Sequence, residues 1–360
     1  MRRVRRRWAA LLLLLATVVA YCQAAGPAAT RPPPAEPPAA GRAAAPAGTA
    51  PSTAEPATAA RAAVDVLVAS PARSLTQLPF YVGLAAGLFA EEGLNATMIN
   101  MASPVAIAAV IDGQVGYTTA GGTTIRAAAS GRPVRLIAGG NNRPDWDLMV
   151  QPGIARVEEL RGKRLGVQAP TGATTLLTYE LLARYGLGRA DVEAINLQTA
   201  DGILQGLVAR QVDAGPLGPP HNVMARREGL QSLLRTGAEV VLLQGGVGTS
   251  SQRLQERPAE VEAFLRGLLR SIRLLQTDRV QAMRVLVDEY ALAPDVAEIV
   301  YDEGVANFVP DASASDAEIQ REIAAQEEAT GQKLDVTLAQ VADFEPLHRA
   351  QAALGIAPAP

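Results

Sequence analysis

Arg156-Val-Glu-Glu-Leu-Arg-Gly-Lys-Arg-Leu-Gly-Val-Gln-Ala-Pro-Thr-Gly-Ala-Thr-Thr175 passes from a charged turn into a strand, Arg164 to Gln168, and then into a bend of small residues, Ala169 to Ala173. A helix follows from about Thr174, with Leu177, Leu181, Leu182 and Tyr185 on one side and Gly186-Leu187 as its stop. A strand feeding a helix through Pro, Thr and Gly leaves backbone N–H groups unpaired at the helix start, and those groups suit an anion. Alone, such a junction decides little. Its continuation decides more. A strand at Glu193 to Leu197, a helix from about Asp201 to Arg210 and a strand at Val212 to Gly215 complete a βαβαβ unit.

The same order stands about 100 residues earlier. Val64-Asp-Val-Leu-Val68 has the β-branched content of a buried strand. A loop, Ser70 to Leu78, leads to a helix opened by Pro79, with Phe80, Leu84, Leu88 and Phe89 as its apolar stripe and Gly93-Leu94 as its cap. A strand follows at Ala96 to Asn100, then a helix with Ser103 as N-cap and Pro104 at its first position, then a strand at Val115 to Thr119. Two such units predict two similar α/β lobes. Strands at Val134 to Ala138 and Asp147 to Val150 carry the chain across to the second lobe, and Glu239 to Gln244 carries it back. The remainder reads as helices at 259–275, 279–290, 294–303, 316–330 and 338–354, and Arg266, Arg270 and Arg273 are expected to form a solvated face.

Composition narrows the function. Aromatic residues are only 4% of the 360-residue chain, so the core must be aliphatic in the main. Residues 1–62 hold 8 of the 33 basic and 2 of the 36 acidic groups, which leaves a net charge of −9 on the rest. An acidic body argues against a general nucleic-acid surface. One cysteine and two histidines provide neither a disulfide framework nor a Cys/His zinc set.

Residues 1–25, with five arginines before the apolar run Ala9 to Ala20, are expected to be an export signal. Cleavage after Ala24 satisfies the small-residue rule. Val19-Ala20-Tyr21-Cys22 also resembles a lipobox, which would make Cys22 a lipidated first residue. Residues 26–62 hold only Gly, Pro, Ala, Thr, Ser, Arg and Glu, and predict a disordered tether.

No catalytic apparatus is visible. His221 and His348 sit in no triad or metal motif, and His221 is read as a hydrogen-bonded helix-start residue. The chain instead places polar and glycine-rich turns at strand ends: Ser70 to Gln77, Ser103, Thr118 to Thr124, Asn141-Asn142, Thr171 to Thr175, Gly215 to His221 and Gly248 to Ser251. Ligands of open α/β sheets bind outside the carboxyl ends of the strands, and two facing lobes make a cleft there. Arg126 and Arg143, near strand ends, are read as surface residues.

Leu78-Pro-Phe-Tyr-Val-Gly-Leu-Ala-Ala-Gly-Leu-Phe-Ala-Glu-Glu-Gly-Leu94, Val157-Glu-Glu-Leu-Arg-Gly-Lys-Arg-Leu-Gly-Val167, Gln211-Val-Asp-Ala214 and Pro219-Pro-His-Asn222, in this order and spacing, resemble the solute-binding proteins of ABC importers in the NMT1/THI5-like or SsuA-like branch. The resemblance covers about Val64 to Leu347. It implies a two-lobed periplasmic-binding-protein-like fold of type II, with two hinge strands, and capture of a small solute for a membrane permease driven by an ATPase. Members bind sulfonates, nitrate, taurine, pyrimidines or aromatic acids. Relatives that are pyrimidine-synthesis enzymes use a cysteine-rich motif that this chain lacks.

The resulting expectation is a monomeric, non-enzymatic binding protein without cofactor, metal or nucleic-acid partner, held in the periplasm or at the cell surface. Its lobes would be 63–148 with 245–360, and 149–244. Gln77, Ser103 and Thr119 would meet the solute from the first lobe, and Thr171, Gly172, Ala173 and Thr174 from the second. A ligand-sensing subunit and an enzyme acting on a small acid are the alternatives.

Overall fold

Among the described residues, ten strands form two separate five-stranded sheets. The computed structural model describes residues 63–71, 74–168, 173–240 and 243–357. The expected export signal, the tether, Cys22, Thr171 and Gly172 therefore lie outside the described residues.

In the first sheet, β1 (Val64–Ser70) pairs in parallel with β2 (Leu94–Asn100) and with β3 (Tyr117–Thr118). The sheet also takes β4 (Val134–Ala138) and, from far along the chain, β10 (Val247–Ser250). Its order is β2-β1-β3-β10-β4, with β10 antiparallel to both neighbours. The second sheet contains β5 (Asp147–Val150), β6 (Arg164–Val167), β7 (Glu193–Asn196), β8 (Ala214–Leu217) and β9 (Gln231–Arg235). Its order, β7-β6-β8-β5-β9, repeats the first, and here β5 is the antiparallel strand. Each sheet is thus a parallel βαβαβ unit extended by one reversed strand and one edge strand. In both cases the reversed strand is the first to follow a crossing between lobes. This is the two-lobed α/β fold that the repeated unit predicts.

Hydrophobic patterning explains the layers. The helix Pro258–Thr277 starts with proline, which needs no partner for the N–H it lacks. It buries Val261, Phe264, Leu265, Leu268, Ile272 and Leu275, the broad stripe its sequence shows. The few aromatic residues concentrate beneath it. Phe264 stacks on Tyr117 at 3.9 Å between ring centroids, and Phe80 and Phe89 pack within 6.2 and 5.4 Å of Phe264. On the opposite face the helices Ser103–Ile111 and Gly121–Ala129 cover the sheet, burying Ile107, Val110 and Ile125 against Val134 and Leu136. In the second lobe, Val157 and Leu160 of the charged turn are buried beside Leu165 and Val167. Arg161 of that turn pairs with Asp191, and Arg164 holds Asp213. The turn therefore seats β6.

Several expectations change. Arg266 and Arg270 do not face solvent alone: they pair with Glu92 and Glu91 and tie the long helix to the turn before β2. β3 has two residues rather than five, and β8 starts two residues late because the Val212 N–H is spent on the Gly206 carbonyl. β9 was not expected. The expected helix 338–354 is two helices, Leu338–Val341 and Glu345–Ala353, split where the Asp343 N–H reaches the Leu136 carbonyl at the end of the first sheet. Ser103 is the first helical residue, and Ala102 occupies the cap. Of the expected returning strand 239–244, the described residues 239, 240, 243 and 244 lie in no named strand. Thr236–Glu239 is a short helix whose Thr236 side chain bonds the Trp146 carbonyl, and only Gln244 pairs, with Asn141.

Candidate functional site

The carboxyl ends of the parallel strands of both lobes carry the turns that were singled out above. In the first lobe, the loop after β1 folds back on Gln77, whose Oε1 accepts from the Ser74 N–H at 3.2 Å and from Ser74 Oγ at 2.6 Å. Gln77 Nε2 donates to Thr119 Oγ1 at 3.3 Å, and the Thr119 N–H donates to Ala69 at the end of β1. Gln77 and Thr119 are brought together, both buried, and partly used on each other. Ser103 stands at the start of its own helix after β2, with no hydrogen bond to either. In the second lobe the helix Ala173–Arg184 begins where the bend predicts, and the Thr174 carbonyl accepts from Thr178 Oγ1.

Between the lobes run two short crossings, 139–146 and 240–246. Asn141 and Gln244 exchange N–H···O bonds of 2.9 and 2.7 Å, the single two-way link between the described parts of the crossings. Gly245 and Gly246 follow at φ of +78° and +94°, a region that side-chain-bearing residues avoid. A small recess of about 10 Å³, room for about one water, lies beside these crossings. Leu75 and Leu78 line it from the first lobe, Asn141 and Asp145 from the crossing, Pro219 from the turn after β8, and Tyr301 and Phe308 from the C-terminal helices. Asp145 and Pro219 also line a wider opening of about 220 Å³ beside it, with Arg143, Asp147, Asn222, Arg235 and Glu303. Strand-end turns from both lobes thus meet across one hollow.

The charges around the hollow are unevenly paired. Asp147, at the start of β5, accepts from Arg226 at 3.1 Å and from Asn222 at 3.4 Å. Burial raises its pKa in spite of the opposing pull of Arg226 and Arg235. Arg226 reaches on to Glu303 at 2.7 Å, Arg235 approaches Glu303 at 3.6 Å, and Arg227 holds Asp295 at 2.6 Å. Since the helix Pro294–Gly304 belongs to the first lobe's core, these pairs join the lobes on one side of the hinge. Arg321 and Glu180, 2.7 Å apart, join them elsewhere. Asp145 has no such partner among the described residues. Burial pushes its pKa up to about 6, partly offset by its own backbone N–H and aided by the like charge of Asp147.

The Asp145 shift has a definite sign. A carboxyl whose folded pKa is raised holds its proton more tightly in the folded state, so its contribution to stability is complete below about pH 4 and is lost as pH rises through about 6. A shift of roughly two units is worth about 3 kcal/mol without screening, and partial exposure of the side chain reduces this to about 1–2 kcal/mol. Asp145→Asn is expected to be more stable than the parent by that amount at about pH 8 and equal to it near pH 4. Urea unfolding at the two pH values measures this.

His221 begins the helix His221–Arg227, and its Nε2 lies 3.0 Å from Asp201, the helix-start role read from sequence. Arg126 is half-buried and pairs with Glu322, whereas Arg143 is exposed, as read from sequence, and donates to the Gly237 carbonyl at the wider opening. Asp145, Asp147, Arg226 and Glu303 were not singled out from sequence. The signal for the first two was present in Arg143-Pro-Asp-Trp-Asp147, which places two carboxylates at the entrance to an apolar strand.

Comparison with known proteins agrees with this architecture. The sequence model of the family described as NMT1/THI5 like matches residues 75–282. The periplasmic sulfonate-binding protein SsuA of Methylobacillus flagellatus KT superposes with a TM-score of 0.67 at 17% identity, over 82% of this chain and 96% of that one. The periplasmic aliphatic sulphonate-binding protein SsuA of Escherichia coli gives 0.66 at 16% identity, over 79% and 99%. A desulfurization enzyme, DSZB, gives 0.61 at 13% identity, over 81% and 99%. At these identities the likeness is one of fold. No curated protein matches the chain.

Proposed function

The chain belongs to the NMT1/THI5 like family, and on that premise we propose that it is the extracytoplasmic solute-binding component of an ABC importer. The observation that carries this reading is the hollow itself. Two lobes of the same strand order both contribute residues to the wider opening, and the described chain passes between them at 139–146 and 240–246. Such a hinge closes by small backbone rotations in few residues, and a solute touching both walls stabilises the closed form. That form is what a permease with its ATPase would recognise. The solute is captured and released unchanged.

In this reading Gln77, Ser103 and Thr119 of the first lobe and Thr171, Gly172, Ala173 and Thr174 of the second meet the solute as the lobes close, although Gln77, Ser103, Thr119 and Thr174 do not line the two openings beside the crossings. The start of helix Ala173–Arg184 would offer its backbone N–H groups to an anionic or polar end of the solute. A sulfonate, a carboxylate or a nitrogenous solute all meet that requirement. The protein acts as a monomer outside the cytoplasm, released by cleavage after Ala24 or anchored by lipid at Cys22. Among the described residues no helix is long and apolar enough to cross a membrane.

A ligand that binds only the folded protein raises its melting temperature by mass action. A thermal-shift screen of sulfonates, carboxylates and nitrogenous bases is expected to give at least one clear rise. With that ligand, Thr174→Ala is expected to weaken binding about tenfold, the loss of one hydrogen bond to a charged group. Unchanged affinity would rule out the Thr174 hydroxyl as a contact, and a flat screen would count against capture of these solute classes. Catalysis in the same hollow is favoured by one observation, the fold shared with DSZB. Product formation from a bound solute would establish it.

A further inference from the structure

One helix of the second lobe is built into both lobes. His221–Arg227 follows β8, and its first turn is fastened to its own lobe at two points. His221 Nε2 lies 3.0 Å from Asp201, and Asn222 donates to Asp147 at 3.4 Å. Ala225 is buried with Met149, Leu217 and Leu230 of that lobe. Val223 stands two residues earlier, about 200° around the helix, and does not join them. It is 1% exposed and belongs to the apolar cluster of the first lobe, with Val296, Ala297 and Val300 of helix Pro294–Gly304. Arg226 and Arg227 reach Glu303 and Asp295, at the two ends of that same helix, at 2.7 and 2.6 Å.

The join on the other face of the second sheet is of a different kind. Leu148 and Val150 of β5 pack with Leu182 of helix Ala173–Arg184, whereas Met149 between them packs with Ala225, so the two helices lie on opposite faces. Leu177 and Leu181 of helix Ala173–Arg184 are buried with Trp146 and Val240 of the crossings. Among the described residues, its polar contact with the first lobe is the single pair of Glu180 with Arg321, 46% and 38% exposed in their side chains. Arg321 lies on helix Asp316–Thr330, which buries Ile319 in the first lobe, and Glu180 is shared with Arg184 of its own helix at 3.2 Å. An exposed pair of this kind is weak and screened by salt. Withdrawing Val223, in contrast, would put a fully buried apolar side chain into water.

We propose that the lobes part on the face of helix Ala173–Arg184 and turn about helix His221–Arg227, which stays docked on the first lobe. The inference rests on the reading of the chain as a hinged solute-binding protein and specifies how it opens. Val223 is the positioning residue of the pivot, and Glu180 with Arg321 is the latch of the moving face. Helix Ala173–Arg184 is also the one whose start meets the solute in that reading, so the wall that moves is the wall that carries the contact. A lone exposed latch leaves both forms populated, and a solute touching both lobes shifts the balance.

Distances between paired spin labels in the full chain test this without any solute, with Cys22→Ser removing the single native cysteine. Ala183→Cys with Ala324→Cys spans the moving face, and Met224→Cys with Glu298→Cys spans the docked face; all four positions are exposed. The first distance distribution is expected to be about twice as wide as the second. Glu180→Gln is expected to raise the open fraction roughly two- to fivefold at the first pair, as is high salt, and to leave the second pair unchanged. Val223→Ala, shown to be folded by circular dichroism, is expected to broaden the second distribution. Equal widths in the parent, or a wider distribution across the docked face, would overturn the pivot whether or not that variant folds. A first pair that neither Glu180→Gln nor salt moves would overturn the latch. One-sided opening beside a flat solute screen would support the pivot and count against solute capture. Solute binding with equal opening on both faces would do the reverse.

Discussion

Gly121→Ala is expected to destabilise the fold by about 3 kcal/mol and to disturb the hinge with it. Gly121 begins a helix of the first lobe directly after Ala120 and Thr119, and its Cα lies against the second crossing. A methyl group there would meet the carbonyl oxygen of Gly245 well inside van der Waals contact, with the carbonyl carbon at 2.9 Å and Gly246 Cα at 3.1 Å. The obstruction is backbone, so it cannot be relieved by a side-chain rotation, and overpacking of this kind stands at the upper end of its usual 1–3 kcal/mol range. One of the two must move. If the crossing moves, the Asn141–Gln244 link is strained, and solute affinity falls together with the unfolding midpoint. Chemical denaturation measures the first loss and ligand titration the second. A variant with parental stability would show that the helix start and the crossing do not touch in solution.

Arg226→Met is expected to cost about 2–3 kcal/mol and to loosen the lobes. The substitution keeps most of the side chain's volume and removes a charge that serves two carboxylates at once, Asp147 in the second lobe and Glu303 in the first. Asp147 is only 9% exposed in its side chain, so the change strands a buried anion, an effect worth 3–5 kcal/mol for a fully enclosed pair. Arg226 and Glu303 keep 24% and 31% exposure, and Arg235 remains near, so solvent and the second cation lower the figure. Because the folded pKa of Asp147 lies above its ordinary value, the stranded anion can take up a proton as pH falls, and the penalty should shrink in acid. Thermal unfolding at about pH 5 and about pH 8, with small-angle scattering to follow the separation of the lobes, tests both parts. Arg227→Met, whose partner Asp295 is exposed, serves as the comparison and should leave both readings unchanged.

The parts of the molecule that were legible in its sequence are those decided within a few residues. β1 and β6 announce themselves by apolar runs next to Gly and Pro, and the helix read at 316–330 forms at Asp316–Thr330, where the structure shows a Ser315–Glu318 capping pair. The helix start at Ala173 was visible because the bend before it contains nothing that could continue a strand. What could not be read was decided by partners far away. Glu239 to Gln244 has every local mark of a strand, yet its described residues join neither sheet, where β9 holds the edge of the second and β10 fills the first. Asn141 was visible as a polar turn but not as an unpaired acceptor, since that depends on everything packed around it. The link from Arg226 to Glu303 spans 77 residues, and no spacing rule connects the two.

The position of β10 has a consequence for how the molecule is made. All five strands of the second sheet come from one continuous stretch, Asp147 to Arg235, so that lobe holds its whole sheet as soon as its own residues are available. The first sheet cannot be completed in sequence. β3 and β4 are laid down early, but the strand that belongs between them is Val247–Ser250, and until it arrives they have no shared neighbour. The lobe that begins first is therefore finished last, and its incomplete sheet carries two unpaired edges while the inserted lobe takes shape. Exposed edges of this kind invite pairing with other chains. In this topology the hinge is also the seam along which the earlier half of the protein waits for the later one.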